Sequence, residues 1–326
     1  MGSPLRVRCE LCPAYCELGD YQVGACRVRM NKGGRLYSLV YGKPCSVNVD
    51  PIEKKPFFHM LPATTAFSVA TAGCTLSCKF CQNWQISQAR PEETDNSELP
   101  PEKLVELARG QGCRTIAYTY TEPTVFYEYM FDTARLARAA GIKNTMHTCG
   151  YINPAPLKGL TPYIDAANVD LKSMDASFYE DVCGGKLAPV LAALKIMRQE
   201  GLWIEVTNLV IPSLNDSPDN IARLAGWVAK ELGPDTPVHF SRFFPLYKLT
   251  NLPPTPPDTL TRAREIGFRE GLRFVYVGNI SHEGESTFCP KCNKMIIERQ
   301  GYFVRQMRVE GGRCGFCGEK IPGIWS

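Results

Sequence analysis

The sequence predicts an α/β fold: a partial to near-complete parallel (β/α) barrel of the TIM-like kind. A small cysteine-rich segment precedes it and a zinc-ribbon or rubredoxin-like segment follows it. Three observations carry this. Strand-like and helix-like runs alternate through the middle of the chain, polar residues collect where the strand runs end, and most of the fifteen cysteines fall into three groups. The expected division is 1–60 for the N-terminal segment, 61–282 for the barrel and 283–326 for the C-terminal segment.

The strand runs are Ala66 to Ala70, Arg114 to Tyr120, Ile142 to His147, Ile164 to Leu171, Trp203 to Ile211, Val238 to Phe243 and Leu272 to Val277. Helical patterns lie between them. Pro101 to Gly110 opens on proline, and Thr124 to Ala140, Leu187 to Glu200, Pro218 to Leu232 and Asp258 to Glu270 each stop before a glycine. Proline at the start and glycine at the stop suit helix ends. Strand–helix alternation with short links implies right-handed βαβ units and a parallel sheet. Polar groups follow the strand runs: Gly73-Cys74, Thr121-Glu122-Pro123, His147-Thr148-Cys149-Gly150, Asp170-Leu171-Lys172, Asn208, Arg242 and Gly278-Asn279. In parallel barrels the reactive groups gather at such ends. Loops in general begin with polar residues, which accounts for Ser and Asn but less well for Glu122, Asp170 and Lys172.

Composition narrows the function classes. The 326 residues are 44% hydrophobic and 21% charged, which excludes a disordered chain. A net charge of +4 is too small to argue for nucleic acid. No apolar run approaches the ~20 residues of a membrane span. With no signal stretch expected at Met1 to Arg6, the cysteines read as thiols of a reducing cytoplasm, and metal is the first suspect. Cys45, Cys113, Cys149 and Cys183 stand apart from the groups and read as small buried hydrophobes.

Cys74, Cys78 and Cys81 have the spacing C-x3-C-x2-C. Three thiolates on one short loop suit an iron–sulfur cube better than structural zinc, which wants four ligands. A cube held by three cysteines keeps one iron open. Cys289-x2-Cys292 and Cys314-x2-Cys317 are two knuckles around an apolar, hairpin-like stretch from Met295 to Val309, the pattern of a tetrahedral site for zinc or iron. Cys9, Cys12, Cys16 and Cys26 are four thiols within eighteen residues that match neither a ribbon nor a bacterial ferredoxin run. Zinc as a cap and a second 4Fe–4S cluster both stay open there. Among smaller features, Tyr118, Tyr120, Phe126, Tyr127 and Tyr129 read as core aromatics, His239 as a strand residue, and Lys54 and Lys55 as solvated loop lysines.

The cysteine trio, with Phe80 just before its last member, resembles the signature of the radical SAM superfamily. The resemblance implies that Cys74, Cys78 and Cys81 hold a 4Fe–4S cluster whose open iron binds S-adenosylmethionine, which is cleaved reductively to a 5′-deoxyadenosyl radical. Thr121-Glu122-Pro123 is similar to that family's Gly-Gly-Glu-Pro stretch, implying that Glu122 receives the methionyl ammonium. Gly73 to Trp84 and Asp170-Leu171-Lys172 are similar to pyruvate formate-lyase activating enzymes. His147-Thr148-Cys149-Gly150 resembles their Asp-Thr-Asn-Gly with His147 in place of the acid, and Tyr247 replaces a histidine of a Leu-Pro-Tyr-His-Lys stretch. Thr121, His147, Thr148, Asp170, Lys172, Asn208 and Arg242 are the remaining candidates for cofactor contacts.

Cys45 to Pro56, Gly73 to Gln88, Tyr276 to Asn279 and both terminal cysteine groups resemble the AmmeMemoRadiSam-system radical SAM enzymes. That resemblance implies Memo-like and AMMECR-like partners, and the class implies a reduced ferredoxin or flavodoxin as donor. Two other functions stand beside it: a glycyl-radical enzyme activase, and a non-catalytic iron–sulfur or zinc protein for electron transfer or scaffolding.

Overall fold

Seven parallel strands and one antiparallel edge strand form a single eight-stranded sheet. The computed structural model describes residues 5–280 and 283–326, so the first four residues and the 282/283 boundary lie outside it. Two hairpins open the chain, β1 (Val7–Arg8) with β2 (Glu17–Leu18) and β3 (Arg29–Lys32) with β4 (Arg35–Ser38). β5 (Ser46–Pro51) then pairs antiparallel with β6 (Thr65–Ala70). The parallel series continues through β7 (Thr115–Tyr118), β8 (Lys143–Thr148), β9 (Ala166–Asp170), β10 (Trp203–Val210), β11 (Val238–Arg242) and β12 (Val275–Gly278) in spatial order. β5 and β12 are its two edges.

All seven expected strands form, and they are mostly shorter than the hydrophobic runs. β7 stops at Tyr118 because Tyr120 adopts φ +63, which breaks the extended ladder. The helices are α1 (Trp84–Ser87), α2 (Pro101–Gly110), α3 (Tyr127–Ala139), α4 (Pro154–Leu160), α5 (Ala176–Phe178), α6 (Leu187–Gln199), α7 (Pro218–Glu231) and α8 (Pro257–Arg269). The expected Thr124 start of α3 is a 3-10 turn over Pro123–Phe126 whose N-cap is Glu122. β5 and α4 were not anticipated: α4 has only seven residues, and β5 carries the polar Asn48 and ends on proline.

Strand pleating sorts side chains by parity. Val206, Val238, Phe240, Val275 and Val277 join the main hydrophobic core. Their neighbours of opposite parity, Glu205, His239 and Tyr276, form a polar network in the interior. His239 Nε2 lies 2.7 Å from Glu205, and His59 Nε2 lies 2.6 Å from the Tyr276 hydroxyl. Lys55, expected to be solvated, is instead buried. Its ammonium lies 2.6 Å from Asp50 and above the Tyr120 ring, because the chain folds back at Ile52–Lys54 and offers it a carboxylate and an aromatic face.

The C-terminal segment folds as β13 (Thr287–Phe288), β14 (Met295–Gln300) and β15 (Phe303–Met307), then β16 (Val309–Glu310) with β17 (Arg313–Cys314). Its Ile296, Ile297, Val309 and Ile321 pack with Phe58, Phe274 and Tyr276 in a second core. Buried Arg299 donates to the Phe58 carbonyl at 2.8 Å and stacks on the Phe58 ring.

His59 is wholly buried, with Nδ1 2.7 Å from the Pro322 carbonyl. Burial pushes its imidazolium down to about 4, despite the attraction of Glu205. The unfolded chain, titrating near the ordinary 6.5, therefore binds more protons between those values, and stability falls as pH falls through that window. His59 is expected to remove about 2 kcal/mol of stability between neutral pH and about pH 5. Denaturant midpoints measured across that range, for wild type and His59→Asn, check it; equal acid-side losses in both would refute it. Among the described residues no helix is long and apolar enough to cross a membrane.

Candidate active site and metal centres

A polar-mouthed cavity of about 460 Å³ opens at the C-terminal ends of the parallel strands. Cys74, Cys78 and Cys81 line it together with Thr121, Glu122, His147, Thr148, Cys149, Asp170 and Lys172. The volume lies in the range of small-molecule and cofactor sites.

The trio sits on the loop after β6. Gly73 opens that loop with φ +93, and a Cβ there would come within 2.5 Å of the Cys26 carbonyl oxygen. Only glycine combines that φ with that approach. The loop is pinned by backbone bonds from Ser77 to Cys183 at 2.8 Å and from Lys79 to Val182 at 2.9 Å. Gly185 permits this seating, since its Cβ would stand 2.4 Å from Leu76. Asn83 Nδ2 holds the far side by donating to the Tyr120 carbonyl at 2.8 Å.

Burial, then the Glu122 charge, pushes the Cys74 thiol up, and the Cys183 side chain, then burial, does the same for Cys78. The protein by itself thus favours neutral thiols, and a bound cationic centre is what holds such groups as thiolates.

Glu122 is buried and accepts from Thr124 N at 3.1 Å, Thr124 Oγ1 at 2.6 Å, Thr148 Oγ1 at 2.7 Å and Cys149 N at 2.7 Å. Three of these fall on Oε1 and one on Oε2, which leaves an acceptor position on Oε2. Asp170 lies 3.0 Å from His147 Nε2 and 2.9 Å from Lys172 Nζ. Burial opposes its ionisation, but Lys172 and His147 outweigh burial and hold its carboxyl well below the usual range. Burial likewise opposes the Lys172 charge, and Asp170 overcomes it.

Asn208 and Arg242 do not join this group. Asn208 donates to the Leu171 and Lys172 carbonyls, and Arg242 donates to the Thr255 carbonyl and stacks on Phe244. The reason is parity: Asn208 alternates with Thr207 and Leu209, and Arg242 with Ser241, and it is those neighbours that line the cavity. Tyr120, Lys55, His239 and Tyr302 also line it, where Tyr120 was expected in the core, Lys55 in solvent and His239 simply within a strand. Tyr118, Phe126 and Tyr129 are core aromatics as expected, and Tyr127 is partly buried against that core. Cys113, Cys149 and Cys183 are buried, whereas Cys45 is half-buried. Tyr247 stacks on Trp84 at 5.1 Å.

At the C-terminus Cys289, Cys292, Cys314 and Cys317 bring all four sulfurs within 4.8 Å of one another. The Cys289–Cys317 and Cys292–Cys314 pairs stand at 3.6 and 3.8 Å. A tetrahedral ion with metal–sulfur bonds of about 2.3 Å sets its thiolates about 3.8 Å apart, so this quartet suits one metal ion. At the N-terminus Cys9, Cys12, Cys16 and Cys26 line one pocket with Thr75 and Val125.

The Radical SAM superfamily model matches residues 68–225. An uncharacterized protein of Methanocaldococcus jannaschii is 48% identical over 97% of this chain and 95% of its own length. The pyruvate formate-lyase-activating enzyme of Clostridium pasteurianum is 25% identical over 47% of this chain, and the chain spans 65% of that enzyme. Among solved structures, Streptococcus suis SuiB superposes with a TM-score of 0.53 at 15% identity, covering 70% of this chain and 52% of that one, a likeness of fold alone.

Proposed function

The chain belongs to the radical SAM superfamily and is an enzyme of the radical SAM type; on that premise we propose that Cys74, Cys78 and Cys81 hold its 4Fe–4S cluster and that the adjoining cavity takes S-adenosylmethionine. The observation that carries the reading is the convergence of three thiols, one buried carboxylate and one ion-paired lysine on a single cavity. When bound, the cluster supplies the electron that cleaves S-adenosylmethionine to a 5′-deoxyadenosyl radical. Glu122 accepts the methionyl ammonium through its remaining Oε2 position, while Thr124, Thr148 and Cys149 hold the carboxylate in place. Thr121 donates to the Thr71 carbonyl and thereby positions the turn that carries Glu122. Lys172, held by Asp170, would present a fixed positive charge to the bound cofactor.

The finer reading is an enzyme of a Memo-associated system that abstracts hydrogen from a small molecule or a protein, with a cytoplasmic location, a reduced ferredoxin or flavodoxin as donor, and zinc in the C-terminal quartet. The division at 60/61 and 282/283 belongs to the same proposal. The activase reading stays second. His147 fills the position of an activase acid and pairs with Asp170, and Lys172 already supplies the cation there. The test is anaerobic reduction of the reconstituted protein with dithionite and S-adenosylmethionine. Formation of 5′-deoxyadenosine by wild type, and its loss in Cys74→Ala/Cys78→Ala/Cys81→Ala, is the expected result. No 5′-deoxyadenosine and an unchanged cluster spectrum would sink the proposal.

A further inference from the structure

The N-terminal cysteines and the trio are joined. Thr75, the residue after Cys74, lines the pocket made by Cys9, Cys12, Cys16 and Cys26. Gly73, the residue before Cys74, rests on the Cys26 carbonyl. The loop after β8, which carries Cys149 into the cavity, is tied to the same segment. Asn153 N donates to the Leu11 carbonyl at 3.0 Å and its side chain to the Glu10 carbonyl at 2.7 Å. A segment that served only as an outer cap would have no need to touch the trio loop on both sides of its first cysteine.

The spacing of the four sulfurs differs from that of the C-terminal quartet in the same chain. The C-terminal sulfurs close to the edge length of a single tetrahedral ion. Among the described residues, no three of the N-terminal sulfurs come within 4.8 Å of one another. They stand around a pocket of about 20 Å³ whose exposed surface is almost wholly apolar. That is somewhat more than the one-water void of about 10–15 Å³. A cube of four irons sets its thiolates further apart than one ion does, and it tolerates apolar walls. Ala14 and Ala25, which line the pocket, are exposed, so one side faces solvent while the Thr75 side faces the trio.

From this geometry we propose that Cys9, Cys12, Cys16 and Cys26 hold a second 4Fe–4S cluster, which relays single electrons from an external donor on the solvent side to the centre held by Cys74, Cys78 and Cys81. The relay rests on the proposed trio cluster; the second cluster itself does not. An external low-potential donor of the reduced ferredoxin or flavodoxin class loses one electron and the N-terminal cluster gains it. The same electron then passes to the trio's centre, which is reduced as the N-terminal cluster is reoxidised. No bond is made or broken and no proton is required.

The test uses the full chain carrying Cys74→Ala, Cys78→Ala and Cys81→Ala, reconstituted anaerobically with iron and sulfide. It is expected to keep about four irons and about four acid-labile sulfides, and to show a paramagnetic signal on reduction. Labile sulfide distinguishes the cube from a single iron in the C-terminal quartet, which carries none. Zinc at the N-terminal site, or no labile sulfide, overturns the proposal and leaves the trio's chemistry untouched. If the triple variant does not fold, labile sulfide is counted in wild type and in Cys12→Ala/Cys26→Ala. A fall by half supports the second cluster, and equal counts overturn it. For the relay, reduction of the trio's centre by a reduced flavodoxin is followed by absorbance in the same two proteins. The double variant is expected to be slower by at least an order of magnitude, and equal rates overturn the relay.

Discussion

Replacing Glu205 by alanine is expected to cost about 3–5 kcal/mol of stability, the range found when one partner of a buried charge pair is removed. Glu205 is inaccessible to solvent. It accepts from Phe58 N at 3.0 Å, His59 N at 2.8 Å, Trp203 Nε1 at 3.1 Å and His239 Nε2 at 2.7 Å. Burial alone would raise its carboxyl, but the His239 hydrogen bond and charge outweigh burial and hold it below the ordinary value. Alanine removes the shared acceptor of two backbone donors, an indole N–H and an imidazole, all of them buried or partly buried. The effect should spread, because Phe58 and His59 are also where the C-terminal segment is tied, through Arg299 on the Phe58 carbonyl and Ile324 N on the His59 carbonyl at 2.8 Å. Urea unfolding of Glu205→Ala measures the cost, and limited proteolysis reads whether the C-terminal segment loosens with it. A change below about 1 kcal/mol would show that the network is not a stability element.

Denying the C-terminal quartet the single ion that its geometry suits should have the second large effect. The hairpin of β14 and β15 presents Phe303 and Met307 to solvent and buries mainly Ile296, Ile297 and Arg299. So small a core does not hold a segment of this length alone. Structural zinc in comparable peptides contributes about 10–16 kcal/mol of apparent binding free energy, enough to decide whether the segment folds. Chelation, or Cys314→Ser with Cys317→Ser, is expected to release one metal ion and to expose residues 289–317 to protease while the eight-stranded sheet and its helices stay folded. Metal analysis beside mass-mapped proteolysis checks this. An equally protected hairpin in the metal-free protein would assign the stability to the Phe58, Phe274 and Tyr276 contacts instead.

Much of the candidate cavity's lining is legible in the sequence. The trio, Glu122, His147, Thr148, Asp170 and Lys172 follow strand runs, and the fold brings those ends to one cavity. Asn208 and Arg242 looked equivalent by position. They fall outside the cavity because a strand end does not say which way a side chain points, and one residue of register reverses it. Lys55 misled for a different reason. A lysine in a loop is ordinarily solvated, and only the fold-back at Ile52–Lys54 sets it between Asp50 and Tyr120. Cys149, read as packing, is buried and yet donates its backbone N–H to Glu122.

The sequence by itself determined what is local and periodic: strand–helix alternation, the prolines and glycines that bound helices, and the cysteine spacing that marks three thiol groups. These depend on neighbours a few residues away, so they are readable without contacts. Only the tertiary structure decided the rest: the pleat parity of Asn208 and Arg242, the buried Glu205–His239 pair, and the seating of the N-terminal cysteines against Gly73 and Thr75 of the trio loop. Those depend on packing between segments far apart in the chain, where an ångström of separation distinguishes a single-ion site from a wider one. No local pattern encodes that distance.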